Sequence, residues 1–364
     1  MSLAGRLATL VSFDTQNPMG DERPLLRALA AELTALGASL VVTEDVTPRQ
    51  GFVYARFGES APRLLLNAHV DTVPANTGYS APPHQLVERD GRLYGLGSAD
   101  TKGAIAAILE ALASTRAGKL ASAATSVGVL FSGDEEKGGA CIHAFLDSPH
   151  AQGLQQAIVC EPTSCRLGWR HRGIGAAEAV AVGPGGHSSL VDKLANPLAV
   201  LARAAVALDD LGIAYRGRGP EGFPGICMNV AGLSGGIAFN VVPTRAALTF
   251  SVRPPPGTAV AGVLAEAEAC VRQAAAPHTV EWTVVSDRPP FQTQALEIFG
   301  RLLGARVRNP IDLGFWTEAA LLSQRGIDAV VFGPGDIAQA HAADEFVTLA
   351  DLETARAAFV DVLS

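Results

Sequence analysis

Seven residues of this 364-residue chain have the types and placement for metal-assisted hydrolysis. His69 and Asp71 lie in Asn67-Ala68-His69-Val70-Asp71, and Asp100 in Gly97-Ser98-Ala99-Asp100-Thr101-Lys102-Gly103. Glu135 and Glu136 follow Gly133-Asp134, Glu161 precedes Pro162, and His341 ends Gln339-Ala340-His341. Two imidazoles and several carboxylates without a thiolate form a hard-to-borderline donor set. It suits zinc, cobalt or manganese in an open catalytic site better than a closed structural zinc. Two metal ions close together need a bridging carboxylate, plus an imidazole and a further carboxylate each. Asp100 as bridge, His69 with Glu161, and His341 with Glu136 fill that scheme and leave Glu135 over. A free glutamate beside an activated water is the general base a hydrolase needs. His69 and Asp71 flank one residue in an extended segment and point to the same side. Asp71 can then accept the second imidazole proton and fix the orientation of the ring.

Each residue taken singly has a plain structural reading beside the chemical one. Asp100 stands where a helix N-cap would, and Glu135-Glu136 would suit a first helical turn. His84, His143, His150 and His278 read as ordinary surface or core residues. The chemical reading rests on five metal-type residues falling at successive strand ends.

The elements that must position them read as an α/β layer. Apolar runs at 64–66, 126–131, 157–160 and 329–332 look like buried strands, and 104–112, 140–146 and the stretch from Leu349 look like helices. A first amphipathic helix runs into a loop at Asn17-Pro18. Buried strands separated by helices predict a mostly parallel sheet covered on both faces. Ligands collect beyond the carboxyl ends of such strands, where the polar segments fall. The texture changes after Gly173. Strands at 174–182, 227–233, 246–253 and 280–286 alternate with helices at 194–208 and 259–275 in the order strand–helix–strand–strand–helix–strand. That order suits one antiparallel sheet with two helices. We therefore expect a catalytic domain of residues 1–173 and 287–364 interrupted by an inserted α+β domain, 174–286.

Composition narrows the function classes. With 48% hydrophobic and 18% charged residues the chain can bury sizeable cores. A net charge of −8 gives no electrostatic footprint for nucleic acid or anionic lipid. No window approaches the ~18 uncharged apolar residues of a membrane span. The amino-terminal apolar run is interrupted by Asp14 and lacks a clean leader-cleavage site, so a cytoplasmic protein is expected. The five cysteines (Cys141, Cys160, Cys165, Cys227, Cys270) form no C-x-x-C pair, which argues against a disulfide framework or a thiolate zinc site.

Several segments together resemble the M20 family of metallopeptidases and deacylases. They are NAHVDTVP (67–74), GLGSADTKG (95–103), FSGDEEKGGA (131–140), CEPTS (160–164), GGHSS (185–189) and FGPGDIAQAHAADEF (332–346). They run in the family's order along most of the chain. The resemblance implies a two-zinc amidohydrolase, with cobalt able to substitute. His69, Asp100, Glu136, Glu161 and His341 would be the ligands, with Asp100 bridging, Glu135 the general base and Asp71 the support of His69. It also implies a cis peptide bond after Asp100. The inserted domain would be a lid and homodimer interface, with His187 reaching the oxyanion in the partner's site. Asn240 and Arg253 would hold the substrate carboxylate. Thr101 departs from the apolar residue many relatives carry there, without touching a ligand. The stretch holding Trp316-Thr317-Glu318 and GPGDIAQAH is most similar to acetylornithine deacetylases and their acetylcitrulline-cleaving relatives, with Thr317 as a substrate-binding position. N2-acetyl-L-ornithine is the expected substrate, with Glu318 or Asp336 as partners for its cation, and N-acetyl-L-citrulline the alternative. Desuccinylation of N-succinyl-diaminopimelate, carboxypeptidase activity, or a binding protein that has lost catalysis stay open as further alternatives.

Overall fold

Leu64–His69 and Val127–Ser132 are buried along their whole length, as strands covered on both faces must be. They are parallel neighbours in the central sheet of a computed structural model that describes residues 2–118, 126–294, 296–304 and 309–364. Gln156–Val159 and Asp328–Val331 continue the parallel run. On the other side, Gly51–Phe57 pairs antiparallel with Val127–Ser132 and carries Leu40–Asp45 as the edge. Residues from distant helices join one core with these strands. Leu7 and Leu10, Leu26 and Leu29, Ile105 and Ile108, and Leu352 and Phe359 all lie in it against Leu66 and Val129. The first helix, Leu3–Val11, shows how the sequence does this. Leu3, Leu7, Leu10 and Val11 fall on one buried face, and Ser2 caps the start by accepting from the Gly5 N–H. Each such leucine is worth roughly 1.5–3 kcal/mol of burial.

The chain divides into two compact units: Met1–Trp169 with Thr293–Ile311 and Thr317–Ser364, and Arg170–Gln292 with Asp312–Trp316. The second has its own antiparallel sheet in the order Cys227–Gly235, Arg245–Arg253, Ile174–Val182, Glu281–Arg288. Ala177, Ala179 and Ala181 share its core with Leu201, Ala204 and Leu208 of helix Pro197–Ala214 and with Val263, Leu264 and Ala267 of helix Val260–Ala275. Small residues on the strand let the helices approach closely. Pro197–Ala214 begins later than the apolar pattern suggests because Asn196 stops it. The Asn196 Oδ1 accepts from the N–H groups of Leu198 and Ala199, with Pro197 in the first turn.

All five cysteines are free. Among the described residues no helix is long and apolar enough to cross a membrane.

Candidate metal centre

The parallel strands deliver their polar residues to one edge. His69 ends Leu64–His69; the Gly133–Glu136 turn follows Val127–Ser132; Glu161 stands two residues beyond Gln156–Val159. Asp328–Val331 leads through Gly333-Pro334-Gly335 to His341, whose φ of 60° is left-handed. Asp100 arrives from the loop before helix Lys102–Gly118.

Here the five side chains converge. His69 Nε2 lies 2.9 Å from Asp100 Oδ1 and 3.9 Å from Glu161 Oε1. His341 Nε2 lies 3.0 Å from Glu136 Oε1 and 3.5 Å from Asp100 Oδ2. One oxygen of Asp100 thus faces each imidazole, and each imidazole has its own second carboxylate. Potential ligand atoms of His69, Asp100 and Glu136 all fall within 4.8 Å of one another. His69, Asp100 and Glu161 are buried, whereas His341 is 52% exposed and forms the open side.

Two carboxylate clamps hold this geometry. Glu345, buried, accepts at Oε2 from the Gly97 N–H (2.7 Å) and at Oε1 from the N–H groups of Ala99 (2.9 Å) and Asp100 (3.0 Å). It fixes the loop that presents Asp100. The Asp100–Thr101 peptide bond is cis, and the Thr101 hydroxyl donates to the His69 carbonyl at 2.8 Å. Asp71 is the second clamp. Its Oδ1 accepts from the Glu135 N–H and its Oδ2 from the Glu136 N–H, both at 3.1 Å. His69 Nδ1 lies 3.0 Å from the Asp71 carbonyl oxygen and 3.4 Å from its Oδ1. Asp71 therefore serves the turn that carries Glu135 and Glu136 as well as the ring of His69.

The electrostatics follow from crowding negative charge in a buried space. Burial, reinforced by the surrounding carboxylates, pushes Glu135 and Glu161 well above the usual carboxylate range, and Glu136 in the same direction. Burial works against the charge of His69, but hydrogen bonding to Asp100 and Asp71 outweighs it and raises the imidazole well above its ordinary value. Asp100 is opposed by burial too, yet contact with His341 and His69 holds it low. His341 is raised to about 10, chiefly by Asp100 and Glu136. Four carboxylates around two imidazoles call for added positive charge, and the oxygen–nitrogen donor set fits a pair of divalent ions.

Other residues singled out in the sequence stand elsewhere. His187, Asn240 and Arg253 belong to the second unit. There Gly186-His187 pairs antiparallel with Val241-Val242, and the Ser188 N–H donates to the Asn240 carbonyl, so His187 and Asn240 are brought together. The His187 side chain is exposed and its Nδ1 accepts from the Ser189 N–H. Arg253 ends its strand, its carbonyl accepting from Arg172 Nη1 at 2.9 Å. Thr317 is fully buried and its hydroxyl accepts from the Ala319 N–H ahead of helix Ala319–Gln324. Glu318 is also buried, its Oε2 accepting from Asn67 Nδ2 (2.7 Å) and Ser132 Oγ (3.0 Å). Asp336 is exposed and accepts from the Ala338 N–H.

The description of peptidase family M20/M25/M40 matches residues 65–364. The chain belongs to this family. It is 37% identical over 362 residues to an N-acetyl-L-citrulline deacetylase of Xanthomonas campestris pv. campestris, covering 95% of this chain and 93% of that one. It is 30% identical over 362 residues to an acetylornithine deacetylase of Pasteurella multocida, covering 94% and 90%. Among solved structures, an M20 family metallo-carboxypeptidase from Sulfolobus solfataricus superposes with a TM-score of 0.81 at 18% identity, covering 100% of this chain and 98% of that one. A Staphylococcus aureus tripeptidase gives 0.81 at 19%, covering 99% and 96%. These two share the fold; the deacetylases share the sequence as well.

Proposed function

We propose that the chain is a two-metal deacetylase that hydrolyses the amide of an N-acetyl amino acid. The observation that carries this reading is Asp100, whose two oxygens each face an imidazole–carboxylate pair while Glu135 sits buried beside them. His69, Glu161 and Asp100 would hold one zinc ion, and His341, Glu136 and Asp100 the other, with cobalt able to replace zinc. Bound there, the ions would make a water more acidic and draw charge from the amide carbonyl. Glu135 removes the water's proton as its oxygen attacks the carbonyl carbon, and returns that proton to the leaving nitrogen. A C–O bond forms, the C–N bond breaks, and acetate and a free amine leave. The environment that keeps Glu135 reluctant to ionise suits a group that must both take and give a proton.

The second unit serves as lid and homodimer interface in this reading. His187 stabilises the oxyanion of the partner's site, Asn240 and Arg253 hold the substrate carboxylate, and Thr317 lines the substrate position. N2-acetyl-L-ornithine and N-acetyl-L-citrulline are the leading substrates, which places the reaction in arginine biosynthesis in the cytoplasm. Glu318, held at Oε2 by the uncharged donors Asn67 and Ser132, stays an expected partner for the ornithine cation.

The test is a panel of N-acetyl-L-citrulline, N2-acetyl-L-ornithine, N-succinyl-diaminopimelate and a short dipeptide on zinc- and cobalt-loaded protein. Preference for an acetyl amino acid supports the reading, and cleavage of the succinyl compound or the dipeptide alone overturns it. Light scattering on the same preparation should report twice the 37.6 kDa chain mass; a mass of one chain would remove the dimer.

A further inference from the structure

The segment around Asn17 reads in the sequence only as a loop, yet it is stitched to the strand end that carries His69. The Asn17 N–H donates to the Thr72 carbonyl at 2.8 Å and the Thr72 N–H to the Thr15 carbonyl at 3.1 Å. The Thr15 hydroxyl donates to the Val70 carbonyl at 2.8 Å. The two backbone bonds place the buried Asn17 amide between two carboxylates, with Nδ2 donating to Asp71 Oδ2 at 3.1 Å and to Asp134 Oδ1 at 3.0 Å. The opposite orientation of the amide would aim its oxygen at both carboxylates, so the assignment follows from chemistry.

Both carboxylates govern the turn that bears Glu135 and Glu136. Asp71 receives their two N–H groups. Asp134 opens the turn with a left-handed φ of 60°, uncommon for a residue with a side chain. Its Oδ2 accepts from the Ala140 N–H at 3.0 Å, and its Oδ1 accepts from Gln50 Nε2 at 2.9 Å as well as from Asn17. An uncharged amide with two N–H donors can satisfy both anions at once. A serine could serve one of them, and an aspartate would add a third negative charge. The Asn17 Oδ1 is buried without a hydrogen-bond partner, so its donors are what the site uses.

We propose that Asn17 is a positioning residue of the metal centre, joining the Asp71 and Asp134 clamps so that Glu135 and Glu136 are held at their places. The inference deepens the two-metal hydrolase reading and rests on it for the roles of those glutamates. Outer partners of metal ligands typically matter by roughly 10–100-fold in affinity or activity.

The test uses the full chain and compares Asn17→Ala, Asn17→Ser and Asn17→Asp with Thr15→Val, which removes a buried hydrogen bond of the same segment but no contact to either carboxylate. Zinc affinity is titrated with a competing chelator, and kcat and KM are measured on the acetyl amino acid the wild type prefers. Asn17→Ala is expected to lose about 10–100-fold in zinc affinity, and a comparable factor in kcat, with KM within about threefold. Asn17→Ser, keeping one donor, should fall between it and the wild type, and Asn17→Asp should be the worst. Thr15→Val should keep zinc affinity and kcat within about threefold of wild type. A folded Asn17→Ala with wild-type zinc affinity overturns the proposal, and so does an equal loss in Thr15→Val. Failure of both Asn17→Ala and Asn17→Ser to fold, where Thr15→Val folds, would make Asn17 a folding residue and overturn it too. If the wild type binds zinc but cleaves no acetyl amino acid, the substrate reading fails while the zinc titration still decides the role of Asn17.

Discussion

At Asp100 a single carboxylate meets both imidazoles, and the side chains around it divide into those whose type announces chemistry and those whose type does not. Glu22 is of the second kind. It is buried, its Oε1 accepts from the Asp134 N–H, and its other oxygen lies where a Cβ on Gly133 would collide with it. Burial, helped by the charge of Asp71, raises its pKa from 4.5 to about 9, against the pull of backbone N–H groups from Asp134 and Gly51. A carboxyl raised on folding stabilises below its unfolded pKa, and that contribution is lost as pH climbs through the folded one. Wild-type Tm should therefore decline as pH rises from 4.5 to about 9, and Glu22→Gln, neutral throughout, should flatten the slope over that window. Equal slopes in a thermal-shift series would contradict this. His69, Asp100, Glu136, Glu161, His341 and Glu135 were legible because imidazoles and carboxylates at strand ends name a donor set by type alone. Asn17, Glu22 and Glu345 were not. They act on backbone N–H groups or on other side chains, and Glu345 meets Gly97 across 248 positions of sequence. No local pattern encodes such a pairing.

At the scale of elements, the buried strands read most clearly. Unbroken apolar runs such as Leu64-Leu65-Leu66 can be satisfied only between two covering layers, which fixes the sheet as central and the polar residues after it as rim. The strands and helices of the second unit were legible for a related reason: alternation on Ile174–Val182 and the helical spacing of Val260–Ala275 each point one face to a shared core. Helix Arg23–Ala35 and the antiparallel pair Leu40–Asp45 and Gly51–Phe57 are weakly marked in the sequence. Leu40–Asp45 is half-exposed to exposed, an edge strand whose side chains carry no unbroken apolar signal. Arg23–Ala35 has Pro24 in its first turn but no side-chain cap before it, so only part of the usual start signal is present. Gln50, at the turn of that antiparallel pair, nonetheless reaches Asp134 and so supports the Glu135–Glu136 turn.

For the whole molecule, the metal-type residues all belong to the first unit, while the second has its own core and carries His187, Asn240 and Arg253. Sequence separation is the rule for this site: His69 and His341 lie far apart along the chain, and only the parallel sheet brings them within reach of Asp100. The fold is shared with a carboxypeptidase and a tripeptidase at 18% and 19% identity, and a shared fold does not by itself fix the reaction. In the proposed function the hydrolytic step on that fold falls to Glu135, buried beside the proposed metal ligands. The most direct measurement is therefore the hydrolysis of N-acetyl-L-citrulline by zinc-loaded wild type and Glu135→Gln, with zinc content determined on both. A general base at Glu135 predicts equal zinc in the two proteins and a loss of roughly 10²–10⁴ in kcat for the variant. Wild-type turnover by Glu135→Gln with its zinc in place would contradict that role.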